Sequence, residues 1–185
     1  RGRHSIRVNP IVRALAVAAL LLAAACAELP RAPAGGFEFE LTGRFAARYR
    51  DEAASGLIAW RHHALRDEVL LSSPFGQGMA QITRDGEAVT LIAGDNQRYA
   101  AADAELLTEQ VLGFRLPLRG LADWVRARPS GEAPAQAQRA PDGRLQVLEQ
   151  HGWRVEYAEY EGAQPKVLKL NYPGLELRLA IREWK

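Results

Sequence analysis

The stretch FEFELTGRFAARY, residues 37–49, alternates its side chains with a period of two. Phe37, Phe39, Leu41, Phe45, Ala47 and Tyr49 fall on one face, and Glu38, Glu40, Thr42, Arg44, Arg48 and the following Arg50 fall on the other. Successive side chains of a strand point to opposite sides, so this pattern predicts a long β-strand with one dry face. Downstream, residues 56–62 form a second strand with Ile58 and Trp60 on one side, and residues 68–73 a third after the polar break Arg66-Asp67. Strands this close in sequence pair antiparallel. Asp85-Gly86 separates strands at 80–84 and 88–92, as a two-residue hairpin turn with both positions at positive φ. Gly94-Asp95-Asn96 then reverses the chain into 98–100.

The period of two returns at 144–148, 153–160, 167–172 and 176–182, with turns at 150–152, 162–165 and 173–174. In the last run Leu175, Leu177, Leu179 and Ile181 point one way, and Glu176, Arg178 and Arg182 the other. Between the two sets of strands the period changes. Asp103 caps a helix over 104–112, with Leu107 and Val111 on one stripe and Gly113 as its stop. Pro117 restarts the chain, and Leu118, Leu121, Ala122 and Val125 recur at helical spacing with Trp124 beside them. Pro129 closes that segment, and residues 130–143 read as an exposed loop. The fold class is mainly β with α: a large, mostly antiparallel sheet with helices inserted mid-chain across one face.

Ahead of this body lies a segment of a different kind. Arg1, Arg3, Arg7 and Arg13 precede an apolar run at 14–25, the pattern of a bacterial export signal. That run is shorter than the about 20 residues needed to span a bilayer. It ends at Cys26, the only cysteine, so no intrachain disulfide can form. The stretch L-A-A-A-C resembles the lipobox of bacterial lipoproteins, with Leu22 one position earlier than usual. Ala24 and Ala25 leave room for a peptidase, and the Cys26 thiol takes a diacylglyceryl group. The alternative is a secreted protein with a free thiol. The expected organisation is a signal at 1–25, a lipidated cysteine and flexible tether at 26–36, and a folded domain at 37–185.

The whole chain carries a formal charge of +2. Removing 1–25 discards four arginines and no acidic residue, leaving 20 basic against 22 acidic residues, a balance of −2. That balance argues against nucleic-acid binding. Catalytic signatures are also missing: there is no G-x-S-x-G elbow, Walker phosphate loop or H-E-x-x-H. His62 and His63 are adjacent and so face opposite sides of a strand, which suits neither a metal chelate nor a proton relay. Asp85, Asp95 and Asp142 sit beside turn glycines, where conformation explains them.

Two features ask for more. The connection at 73–78, SPFGQG, puts Phe75 at its apex, where it either folds back onto the core or meets an apolar partner such as a membrane. The dry face carries Phe39, Phe45, Tyr49, Ile58, Trp60, Trp153, Tyr157, Leu177 and Ile181, with Leu107, Leu112 and Trp124 on the helices above it. This set makes either a filled core or the wall of a cavity for acyl chains; periodicity does not separate the two.

The chain resembles the LolB family of outer-membrane lipoprotein receptors. The matching segments, in order, are LTGRFA (41–46), SGLIAW (55–60), LLSSPFG (70–76), RYAAADAELL (98–107), LGFRLPLRGLADWV (112–125), GWRVEY (152–157) and LRLAIREW (177–184). The resemblance implies an incomplete antiparallel β-barrel of the LolA/LolB kind, with helices covering its concave face and acyl chains held inside. It implies acylated lipoproteins as cargo, the periplasmic carrier LolA as donor partner, and outer-membrane lipid as the acceptor. It implies no cofactor, metal or enzymatic step, and a monomer lipid-anchored at the periplasmic face. The loop residues Pro74, Phe75 and Gly76 match the family's membrane-insertion loop, and Cys26 its anchor. Ala27 after Cys26 is not the Asp that retains lipoproteins in the inner membrane. A structural outer-membrane lipoprotein with a packed core that binds only proteins is the alternative.

Overall fold

A computed structural model describes residues 37–185 except 113, 114 and 132, and excluding the side chain of Leu112. The export signal, Cys26, the tether and the Gly113 stop lie outside the described residues.

The chain first lays down six strands: β1 (Phe39–Tyr49), β2 (Glu52–His63), β3 (Arg66–Ser72), β4 (Gly78–Asp85), β5 (Ala88–Ala93) and β6 (Arg98–Ala101). Helices α1 (Ala104–Leu112) and α2 (Leu118–Trp124) follow. The chain then forms β7 (Gln136–Arg139), β8 (Leu145–Gln150), β9 (Trp153–Glu161), β10 (Gln164–Tyr172) and β11 (Leu175–Trp184). All eleven strands make one antiparallel sheet in the order β6-β5-β4-β3-β2-β1-β11-β10-β9-β8-β7. Each half is therefore a meander, and the two halves meet where β1 pairs with β11. The sheet stays open, with the four-residue strands β6 and β7 as its edges. The helical segment carries the chain from one edge to the other. Trp60, Val69 and Ile82 from one half, Leu170 and Leu179 from the other, and Leu118 and Leu121 of α2 all pack in a single core.

Alternation explains most of these elements, and the departures have local causes. Phe37 precedes β1 and is 39% exposed beneath the Arg61 guanidinium, so the dry face starts at Phe39. The pairing of β1 with β11 shifts between Thr42 and Gly43, skipping Arg182, so that Trp184 turns back to meet Phe39 edge to face at 5.6 Å. Only glycine fits there: a Cβ on Gly43 would collide with the Ala180 carbonyl oxygen. The turn after β4 is Gly86-Glu87 rather than Asp85-Gly86. Asp85 still pairs with Ala88, and of these turn residues only Gly86 has positive φ, +60°. Gln150, expected in a turn, completes β8, and His151-Gly152 makes the reversal with both residues at positive φ.

Asp103 caps α1 as expected, its Oδ1 accepting from the N–H groups of Glu105 and Leu106 at 2.7 and 3.0 Å. Helix α2 stops at Trp124, short of Pro129, and the chain turns at Ala127, φ 55°. The expected loop at 130–143 contains β7. All four of its residues are exposed, so no apolar alternation marks it.

Candidate functional site

The concave face is filled at one end and hollow at the other. At the start of β1, Phe39 stacks on His62 with ring centroids 4.9 Å apart and meets Trp60 edge to face at 5.3 Å. Beneath these rings lies Asp67, wholly buried. Its Oδ1 accepts from Trp60 Nε1 at 2.8 Å and from His62 Nδ1 at 2.7 Å, and its Oδ2 accepts from Arg84 Nε at 2.6 Å. Arg84, also buried, donates onward to the Gly86 carbonyl at 3.1 Å. Burial alone would push the Asp67 carboxyl up, but the hydrogen bonds from His62 and Trp60 and the charge of Arg84 outweigh it and hold the group below the usual carboxylate range. Asp67 is thus a buried, fully paired member of β3, not a polar break. His62 does face away from His63, and it is the inward one.

The same end is tied to the helices. Arg126, just past α2, lies over the Phe39 ring at 5.2 Å and donates to Glu38 at 2.9 Å. Trp124 Nε1 donates to Gln150 Oε1 at 2.8 Å, and Gln150 Nε2 donates back to the Ser130 carbonyl at 2.8 Å. The Tyr157 hydroxyl donates to the Trp124 carbonyl at 2.8 Å, and burial pushes that hydroxyl's pKa up. Helix α2 is therefore pinned at its C-terminal end to β8, β9 and the start of β1.

Toward the other end of β1 the filling stops. A cavity of about 440 Å³ lies between the sheet and the helices. Its sheet wall is built from Phe45, Ala47 and Tyr49 of β1, Ala54, Ile58 and Trp60 of β2, and Leu175, Leu177 and Leu179 of β11. Leu71 and Met79 form the side nearest the β3–β4 connection, and Val111, Leu116, Leu118, Leu121 and Val125 form the roof. Among the described residues, Glu52 is the one charged residue lining it.

Of the twelve residues expected to line an acyl site, Phe45, Tyr49, Ile58, Trp60 and Leu177 border this cavity. Phe39, Leu107, Trp124, Trp153, Tyr157 and Ile181 do not: they are buried in the packed core. The side chain of Leu112 lies outside the described residues. The cavity residues outside that set include small ones on the strands, such as Ala53, Ala54 and Ala80, roof residues such as Leu116 and Leu121, and Leu71 and Met79 beside the loop. Their signal is volume. Alanines in a strand, where large β-branched and aromatic residues are usual, leave space unfilled.

The cavity shares its end of the molecule with the 73–78 connection, because Leu71 and Met79 flank that loop. The Ser73 N–H donates to the Gln77 carbonyl at 2.7 Å, and Ser73 Oγ accepts from the N–H groups of Phe75 and Gln77 at 3.3 and 3.2 Å. Gly76 takes φ +85°. This closed turn holds Phe75 outward at 94% exposure, so the ring does not fold back onto the core.

A family model described as outer membrane lipoprotein LolB matches residues 37–184. An outer-membrane lipoprotein LolB of Thiobacillus denitrificans is 40% identical over 146 residues, covering 78% of this chain and 78% of that one. The protein of the same name from Nitrosomonas europaea is 38% identical, covering 80% and 72%. That of Azoarcus sp. is 35% identical over 178 residues, covering 91% and 92%. A solved LolA superfamily protein from Nitrosomonas europaea aligns at a TM-score of 0.43 with 11% identity, over 79% of this chain and 85% of that one.

Proposed function

This chain belongs to the LolB family of outer-membrane lipoproteins, and from that premise we infer its function: it is a lipoprotein receptor acting in outer-membrane localisation. It takes acylated lipoproteins from the periplasmic carrier LolA and inserts them into the outer membrane. Cys26 is its lipid anchor. The void bordered by Tyr49, Ile58, Trp60 and Leu177 receives acyl chains, and Phe75, with Pro74 and Gly76, enters the membrane.

The observation that supports this best is the placement of an apolar void and an outward aromatic at the same end of the sheet. Burial of each CH₂ stabilises a bound chain by about 0.8 kcal/mol. Inside the cavity those groups meet aliphatic walls; beside Phe75 they meet bilayer. Transfer is then a passage between two apolar surroundings with no long exposure to water, and it consumes no nucleotide. The fixed attachment of α2 at Trp124, Gln150 and Arg126 leaves α1 as the part of the roof able to yield to cargo.

The decisive experiment is Phe75→Glu in the lipid-anchored protein. The variant folds and accepts cargo from the carrier, but insertion of that cargo into vesicles falls away. Unimpaired insertion would remove the loop from the mechanism.

A further inference from the structure

On the opposite, convex face of the sheet, directly behind the β3–β4 loop, Arg44 and Arg178 flank a groove of about 310 Å³. Its floor is apolar, made by Ala46, Leu57 and Ala180, and Pro74 closes it on the loop side. The pairing register explains the placement. Arg44 lies opposite Ala180 and Ala46 opposite Arg178, so the two arginines are diagonal neighbours on one face, within reach of one another's long side chains. Both side chains are exposed, and neither has an ion-pair or hydrogen-bond partner among the described residues. On the far side of Arg178 its direct cross-strand partner is another cation, Lys169. Lys169 faces Glu156 on its other side, so among the described residues Arg44 and Arg178 carry the unpaired positive charge beside the groove.

We propose that this groove binds the phosphate of a membrane glycerophospholipid, with the two guanidiniums on the phosphate oxygens and the glycerol end of the lipid on the apolar floor. Arginine forks match phosphate geometry, and the floor suits an amphiphile better than a free anion. The site rests on the reading of Phe75 as the membrane contact, since Pro74 belongs to both the groove and that loop. With Phe75 in the acyl layer, Pro74 stands at headgroup depth, and the arginines fix the rotation of the receptor about the loop. The cavity mouth then faces the bilayer in one orientation.

The test uses the full lipid-anchored chain in vesicles of phosphatidylethanolamine and phosphatidylglycerol that contain a phospholipid with a photoreactive headgroup. Irradiation should label peptides carrying Ala46, Leu57 and Ala180. Arg44→Gln combined with Arg178→Gln should lower that labelling by at least about tenfold while circular dichroism stays unchanged. Excess inorganic phosphate should leave most of the labelling in place. Absence of labelling in the unsubstituted protein, or its persistence in the double variant, overturns the proposal. Complete loss in inorganic phosphate also overturns it, since the groove would then be a small-anion site. Phe75→Glu separates the two readings. That variant loses insertion and lowers groove labelling together, because the loop no longer holds Pro74 at headgroup depth, whereas normal insertion by it would overturn the loop's role itself. Lost insertion alongside absent groove labelling in the unsubstituted protein would sink the headgroup site and leave the receptor function standing.

Discussion

Strand β1 begins among interlocked rings and ends beside a void, and the same backbone pairing runs through both. At Phe39 and Leu41 the concave face is closed by Trp60, His62 and Trp184 over a buried carboxylate. At Ala47 and Tyr49 it is closed by nothing comparable: their partners are Ala54 and Glu52 on β2 and Leu177 and Leu175 on β11, all of which border the void. The difference shows that one sheet can hold stability and binding apart. Side-chain volume decides which end is filled, while strand pairing runs past both ends with one shift, at Thr42 and Gly43. The packed end is filled by interlocked rings and aliphatic side chains. The hollow end can stay unfilled because the packed end stabilises the fold.

That division is open to attack at several points. The largest effect belongs to Asp67→Asn, which leaves Arg84 buried without its counter-charge and should lower unfolding free energy by about 3–5 kcal/mol in urea titrations. The carboxyl carries a pH signature as well. Its folded pKa lies below the unfolded value of about 3.9, so its contribution is complete above that pH and is lost as pH falls through the lower folded value. The unsubstituted protein should therefore lose stability on acidification more steeply than Asp67→Asn does.

Next come two leucine truncations, one at each end. Leu148→Ala, wholly buried beneath the helices, should cost about 2–5 kcal/mol. Leu177→Ala should cost under about 1 kcal/mol, because the methyls removed already border empty space. Equal costs for the pair would erase the distinction between the ends. Filling the void is the complementary test. Ala47→Trp should weaken binding of a fluorescent fatty acid at least about tenfold, about 1.4 kcal/mol, while the urea midpoint holds or rises. The smallest change in stability is expected for Phe75→Glu, within about 0.5 kcal/mol, since its ring touches little of the fold.

Much of the packed and hollow scaffold was legible from residue order, and the reasons for the gaps are specific. Alternation from Phe39 to Tyr49 and from Leu175 to Ile181 identified β1 and β11 as strands, because one face of each is dry, but not that they pair at the centre of the sheet. It was silent on β7, whose residues are wet on both faces. Asp67 beside Arg66 resembled a turn, since a lone acid near a strand end is usually solvated; its partner Arg84 comes from the neighbouring strand and is invisible locally. The candidate cavity was half legible. Periodicity assigns a side chain to a face but not to a depth, so the large aromatics Trp153 and Tyr157 stood out although they fill the core. The alanines that make the space drew no notice. Phe75 was readable as an anomaly because Pro74 and Gly76 bracket a large apolar ring, while its outward direction needed the hydrogen bonds of Ser73.

The meeting of the two halves at β1 and β11 also sets an order of events as the chain is made. Residues on β1 and β2 form part of the sheet wall of the void, but Leu175, Leu177 and Leu179 of the same wall belong to β11. A chain emerging from its N-terminus can pair β1 through β6 as soon as each hairpin is complete, since those contacts are local. The β1–β11 contact joins Leu41 to Trp184 and must wait for nearly the entire sequence. Long-range pairing of this kind is slow to form. Until β11 is in place the chain thus has an apolar trough that lacks the Leu175, Leu177 and Leu179 part of its wall.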